Sequence, residues 1–185
     1  MIKESLAEAE SRMNGAIHAL EEDLGAIRTG RASPALVEKL MVEYYGTPTQ
    51  LQQLANIAVP EPQLLTIRPF DPSSVAAIEK AIHSSELGLN PSNDGKIIRL
   101  AIPPLTEERR TELTKVVHKR LEEAKVAVRN VRRDVQDDMR EFEKEKLISE
   151  DDHHRGQTDL EKLTTKYIEK IDDVGKHKEK EIKEV

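Results

Sequence analysis

All nine prolines of this 185-residue chain lie between Pro34 and Pro104, and neither flank contains one. Proline removes a backbone donor and breaks helix interiors, so the middle of the chain is committed to strands and turns while both flanks are free to form long helices. The chain therefore reads as a helical protein carrying an insert. Two phenylalanines, three tyrosines and no tryptophan leave its core to Leu, Ile, Val, Ala and Met, which slender helices can bury.

Each flank repeats apolar residues at helical spacing. In the first, Ile2, Leu6, Ala9, Met13, Ile17, Leu20, Leu24 and Ile27 step by four or three, and Gly30 in "RTG" is the expected stop. The last flank opens at "PPLTEERR", where Thr106 can cap and Glu107 and Glu108 sit at the positive end of the helix dipole. From there Leu113, Val117, Leu121, Ala124, Val128, Val131, Val135, Met139 and Phe142 form a stripe on a helix expected from Thr106 to Leu147, on the order of 60 Å long. A third helix begins at "SEDD", with Ser149 and Asp152 at capping-box spacing, and runs through Leu160, Leu163, Tyr167, Ile171 and Val174. Three helices with one apolar face each bury those faces as a three-helix bundle.

In the insert, "VEKLMVEYYG", "QLLTIRPF" and "KIIRLAI" read as strands, and "DPSSVAAIEKAIHSSELG" as a helix capped by Asp71 with Pro72 in its first turn. The expected fold class is α+β with two domains: a long antiparallel three-helix bundle (residues 1–30 and 105–185) and an inserted α+β domain (31–104). Both connections pass one point, so a hinge is expected at Gly30 and Arg31 on one strand of chain and at Pro103, Pro104 and Leu105 on the other.

The net charge is −6, yet "VAVRNVRRD" packs Arg129, Arg132 and Arg133 into five residues. At about 100° per residue these share one helix face, which extends to Lys115, His118, Glu122, Lys125, Gln136 and Arg140. Residues 115–140 hold eight Lys or Arg against five Asp or Glu, +3, which leaves −9 for the rest of the chain. A positive strip on an acidic body favours one orientation on a polyanion over general coating, and arginine grips phosphate with two parallel bonds. Acidic neighbours on adjacent helices could instead neutralise the strip. The residues alone reach a helical protein that binds a polyanion or an acidic partner. A helical adaptor or chaperone-like protein holding an acidic protein through the strip is the alternative.

Little else suggests chemistry. The absence of cysteine excludes disulfides and thiolate sites. "DDHHR" at 151–155 places its histidines about 100° apart, unlike zinc ligands on one helix, and its acids suit a helix N-terminus. No nucleophile elbow or phosphate loop is present, so neither an enzyme nor a cofactor or metal site is expected. No apolar run approaches a membrane span and no cationic leader precedes one, so a soluble, untargeted monomer in the cytoplasm is expected. Tyr44 and Tyr45 should face opposite ways, one toward the core and one free for contact.

"RTGRASPALVEKLMVEYYGTPT" (Arg28 to Thr49), "LGLNPSNDG", "PPLTEERR", "VAVRNVRRD" and "ISEDD", in this order along nearly the whole chain, resemble the ribosome recycling factor family. The resemblance implies a three-helix bundle joined through two linkers to a β/α/β domain, roughly tRNA-like in shape, and a translation factor that is not an enzyme. It implies binding to the large ribosomal subunit after termination, with elongation factor G and GTP then driving subunit separation and release of mRNA and tRNA. The family's principal rRNA contacts correspond to Arg129 and Arg132, with Arg133, Lys125 and Arg28 or Arg31 as weaker candidates; Lys115, His118 and Arg140 are secondary members of the strip. Among these, Arg132 is expected to carry most of the contact.

Overall fold

The computed structural model of the chain describes every residue except Arg28 and Val185. In chain order the elements are α1 (Ile2–Gly25), β1 (Met41–Tyr44), β2 (Thr47–Gln50), the single turn α2 (Leu51–Leu54), β3 (Ala55–Glu61), β4 (Leu64–Pro69), α3 (Val75–Ser84), β5 (Pro91–Asn93), β6 (Ile98–Ala101), α4 (Glu107–Lys144) and α5 (Glu150–Lys183). They form two compact units, one of residues 1–24 and 112–180, the other of residues 25–111 with those from Glu181 on.

The first unit is a three-helix bundle. Its α4 stripe is buried from Leu113 through Met139, and α1 contributes Ala9, Met13, Ile17, Leu20 and Leu24. Arg12 of α1 meets Asp134 of α4 at 2.6 Å, Glu10 of α1 accepts from Tyr167 of α5 at 3.4 Å, and Lys125 of α4 meets Asp172 of α5 at 2.8 Å. Lys125–Asp172 with Arg132–Glu161 runs α4 opposite to α5, and the approach of Ile2 and Met139 to Gly156, with the Glu10–Tyr167 bond, runs α1 parallel to α5. The caps follow the sequence: the Arg109 N–H donates to the Thr106 hydroxyl (3.2 Å) and the Asp152 N–H to Ser149 Oγ (3.1 Å). At the other end of α4, Lys146 takes φ 59° and the Leu147 N–H closes back on the Phe142 carbonyl at 2.8 Å, a Schellman stop.

One helix boundary and one buried face differ from expectation. Helix α1 ends at Gly25, not at Gly30, which adopts φ 75° in an irregular segment. The buried face of α5 also includes Gly156 and Thr164, with Gly175 beside Ile171, while Leu163 and Val174 are only half-buried. Small residues occupy this face because the helices approach closely: a Cβ on Gly175 would lie 2.3 Å from Leu121 Cδ1 and 3.0 Å from Cδ2. Alanine there gains about 1 kcal/mol of helix propensity, but displacing the packed Leu121 costs about 1–3 kcal/mol. We expect Gly175→Ala to lower the melting temperature of the helical unit, and Leu121→Ala in the same chain to make that glycine replacement harmless.

The second unit places α3 against a four-stranded antiparallel sheet of order β3-β4-β6-β5, beside the hairpin β1-β2. Leu65 and Ile67 of β4, Ile98 and Leu100 of β6, and Val75, Ile78 and Ile82 of α3 form its core with Val42 and Leu51. Expected strands appear at β1, β4 and β6, but residues 37–39 of "VEKL" turn instead, and β2, β3 and β5 were not foreseen. Pro60 and Pro62 mask β3, whose end is a sheet edge where missing donors are tolerated. Asp71 caps the helical segment through a bond from the Ser73 N–H (3.0 Å), although the first turn is 3-10 and α3 proper starts at Val75.

Candidate nucleic-acid interface

The strip predicted on α4 is continuous, because residues 107–144 form one unbroken helix. Its buried stripe and its charged face are set by rotation alone. Measured around the helix, Arg129 lies about 120° from the centre of the apolar stripe and Arg133 about 160°. Both arginines are exposed, and neither has a carboxylate at ion-pair distance among the described residues.

The column formed by His118, Lys125 and Arg132 is different. These residues are seven apart, a spacing that drifts only about 20° per step, and they flank the apolar stripe. Each meets an acid of α5: His118 pairs with Glu179, Lys125 with Asp172 at 2.8 Å, and Arg132 with Glu161 at 3.7 Å. Lys125 has only 18% of its side chain exposed, and its hydrogen bond to Asp172 holds the ammonium above the ordinary lysine range while partial burial works the other way. Arg132 has 34% of its side chain exposed, and its buried Nε lacks a hydrogen-bond partner among the described residues.

The remaining candidates are placed as follows. Lys115 and Arg140 are exposed on α4, Arg140 beside Asp137 at 3.2 Å, and Arg31 is exposed in the second unit. Arg28 lies outside the described residues. Of the residues in "DDHHR", Asp152 is engaged in the Ser149 cap, His153 turns to Glu143 at 2.6 Å and His154 is exposed. Among the described residues no group of His, Asp and Glu could hold a metal ion, and no helix is long and apolar enough to cross a membrane.

Reading the sequence missed Glu161, Asp172 and Glu179. They stand eleven and seven residues apart, which at 100° per residue returns them to one face of α5. That spacing was available, but their partners depend on how α4 and α5 align. It also left open the two tyrosines of the second unit. Tyr44 is half-buried, while Tyr45 is 81% exposed at the hairpin tip with φ 48°. Their rings meet edge to face at 4.5 Å, and both hydroxyls donate to Asp71 Oδ2, at 3.1 and 3.4 Å. Hydrogen bonds from the Ser73 hydroxyl and N–H, and from the tyrosines, hold the Asp71 carboxyl below its usual range against partial burial.

Residues 20–182 match the family described as ribosome recycling factor. The chain belongs to the ribosome recycling factor family. A ribosome-recycling factor of Syntrophomonas wolfei subsp. wolfei is 57% identical over 185 residues, covering all of both chains. The solution structure of a ribosome recycling factor superposes with TM-score 0.79 at 46% identity, covering 100% of this chain and 98% of that one. A second structure, a T. thermophilus ribosome recycling factor described with E. coli elongation factor G bound to the E. coli post-termination complex, gives TM-score 0.70 at 44% identity and 98% coverage of each chain. Membership in the recycling factors places the α4 strip in a protein of translation, where RNA is the abundant polyanion.

Proposed function

We propose that this chain docks on rRNA of the large ribosomal subunit in post-termination complexes, and that elongation factor G with GTP then uses it to split the subunits and free mRNA and tRNA. The observation that carries the docking is the free, outward-facing pair Arg129 and Arg133 beside half-buried Arg132, on a helix anchored along its whole length. Lys125, Arg28, Arg31, Lys115, His118 and Arg140 are the supporting contacts. The chain works in the cytoplasm as a monomer and catalyses no reaction itself. The work of splitting comes from the partner's GTP.

The bundle (1–30, 105–185) acts as a rod and the insert (31–104) as a lever, hinged at Gly30 and Arg31 and at Pro103, Pro104 and Leu105. Backbone bonds support this placement: the Ala32 N–H donates to the Pro62 carbonyl at 2.7 Å and the Ile102 N–H to the Gln63 carbonyl at 2.8 Å. Both connections are thus fastened to one β-turn, and the residues just outside it, 29–31 and 103–106, are neither helix nor strand. A disulfide formed between Gly30→Cys and Pro104→Cys should leave cosedimentation with isolated large subunits intact and reduce splitting. Full splitting by the oxidised protein refutes the lever, and failure of the unmodified chain to cosediment refutes the docking.

A further inference from the structure

We infer that Glu161, Asp172 and Glu179 of α5 set the specificity of the α4 strip, holding its inner cations away from RNA that lacks the right shape. This rests on the reading of the strip as an rRNA interface. Six basic residues on one face would make a good general polyanion binder, which a protein in an RNA-rich compartment must avoid, because non-specific sites compete with the specific one. The seam of ion pairs divides the face in two. Arg129 and Arg133 on the outer flank are free to meet any phosphate. His118, Lys125 and Arg132 on the inner flank are already matched, one each, to an acid of the neighbouring helix, and Lys125 also has Glu122 of its own helix at 3.7 Å.

A flexible RNA strand that reaches the inner flank must compete with a carboxylate fixed beside each cation, and it also meets the negative charge of α5. A rigid RNA surface aligned by Arg129 and Arg133 can instead bring a phosphate to Arg132 in the geometry that displaces Glu161. That exchange is easier than one at Lys125, since the Arg132 pair is the looser at 3.7 Å and the Lys125 pair the tighter at 2.8 Å. Glu161, Asp172 and Glu179 are therefore positioning residues: they touch no RNA, and they decide which RNA the cations can touch. The groove of roughly 510 Å³ lined by His118, Lys125, Asp172, Gly175 and Glu179 opens the His118 and Lys125 pairs to solvent, and the Arg132–Glu161 pair is itself part-exposed.

The test measures binding of the full-length chain to single-stranded poly(U) and to isolated large subunits over a salt series, for Asp172→Asn, Glu161→Gln and the control Asp159→Asn. Asp159 is exposed and about 160° around α5 from Glu161, so its loss changes net charge equally without touching the seam. Each seam variant should bind poly(U) on the order of fivefold tighter at low salt, with a log–log salt slope steeper by about 0.7 per freed cation. Large-subunit affinity should change less, so the ratio between the two falls. Unchanged poly(U) binding, or an equal gain with Asp159→Asn, overturns the inference, as does loss of large-subunit binding by seam variants that melt normally. Should Arg129→Ala/Arg133→Ala bind large subunits as well as the unmodified chain, the interface reading itself fails, whatever the seam variants do.

Discussion

Arg129→Ala/Arg132→Ala should bind isolated large ribosomal subunits on the order of a hundredfold more weakly, with its fold intact. A hydrogen bond to a charged group contributes about 1.5–3 kcal/mol, and two lost together give about 3 kcal/mol or more at about 1.4 kcal/mol per tenfold. Salt dependence should flatten as well, by about 0.7–0.9 in log–log slope for each phosphate contact removed. Stability should barely move. Arg129 is exposed without an ion pair among the described residues, and the part-exposed Arg132–Glu161 pair at 3.7 Å contributes at most about 1 kcal/mol. Unchanged affinity by cosedimentation would make the cluster a solvated helix face.

The largest effect on stability should come from Tyr167→Ala. Tyr167 is 1% exposed, and no other aromatic side chain among the described residues of the bundle is fully buried. Emptying such a site costs about 3–5 kcal/mol, so the bundle's melting transition should fall by roughly 10 °C or more, while the α+β unit's transition stays in place. Tyr167→Phe separates packing from polarity. It keeps the ring under Lys170, whose ammonium lies 4.5 Å from its centre, and loses the hydroxyl's 3.4 Å bond to Glu10 and its bond with Asn14. Burial, and then the Glu10 carboxylate, raise the Tyr167 hydroxyl above its ordinary value of 10.0. The folded state thus binds this proton more tightly than the unfolded chain does. The resulting stability is complete below pH 10 and is lost as pH rises through the folded value. Alkaline denaturation curves should show this loss above pH 10 in the unmodified chain and less of it in Tyr167→Phe. Identical curves would show that the hydroxyl is not held in this way.

The three helices were legible because a repeat of apolar residues every three or four positions is a property of one segment. The stripe on α4 is buried without exception from Leu113 to Met139. What stayed hidden depended on something outside the segment. Gly156, Thr164 and Gly175 interrupt an apolar pattern, and only the nearness of Ile2, Met139 and Leu121 explains two of them. Strand β3 carries two prolines' worth of discouragement nearby, and its position at a sheet edge is decided by β4. The same holds for the interface. Arg129, Arg132 and Arg133 share a face by arithmetic, but that Arg132 is engaged and the other two are free follows from where α5 places Glu161. Tyr45 looked like half of an ordinary strand pair, and its left-handed backbone and its exposure set it apart from Tyr44.

The parallel pairing of α1 with α5 also governs how the chain can be made. Glu10 meets Tyr167 across 157 residues of sequence, so the first helix has no complete partner until nearly all of the polypeptide has emerged. At roughly 5–20 residues per second, that interval lasts about 8–30 s. During it the insert has every strand it needs and can fold, whereas α1 waits as an amphipathic segment with its apolar side uncovered. The last helix synthesised is the one that ends the wait.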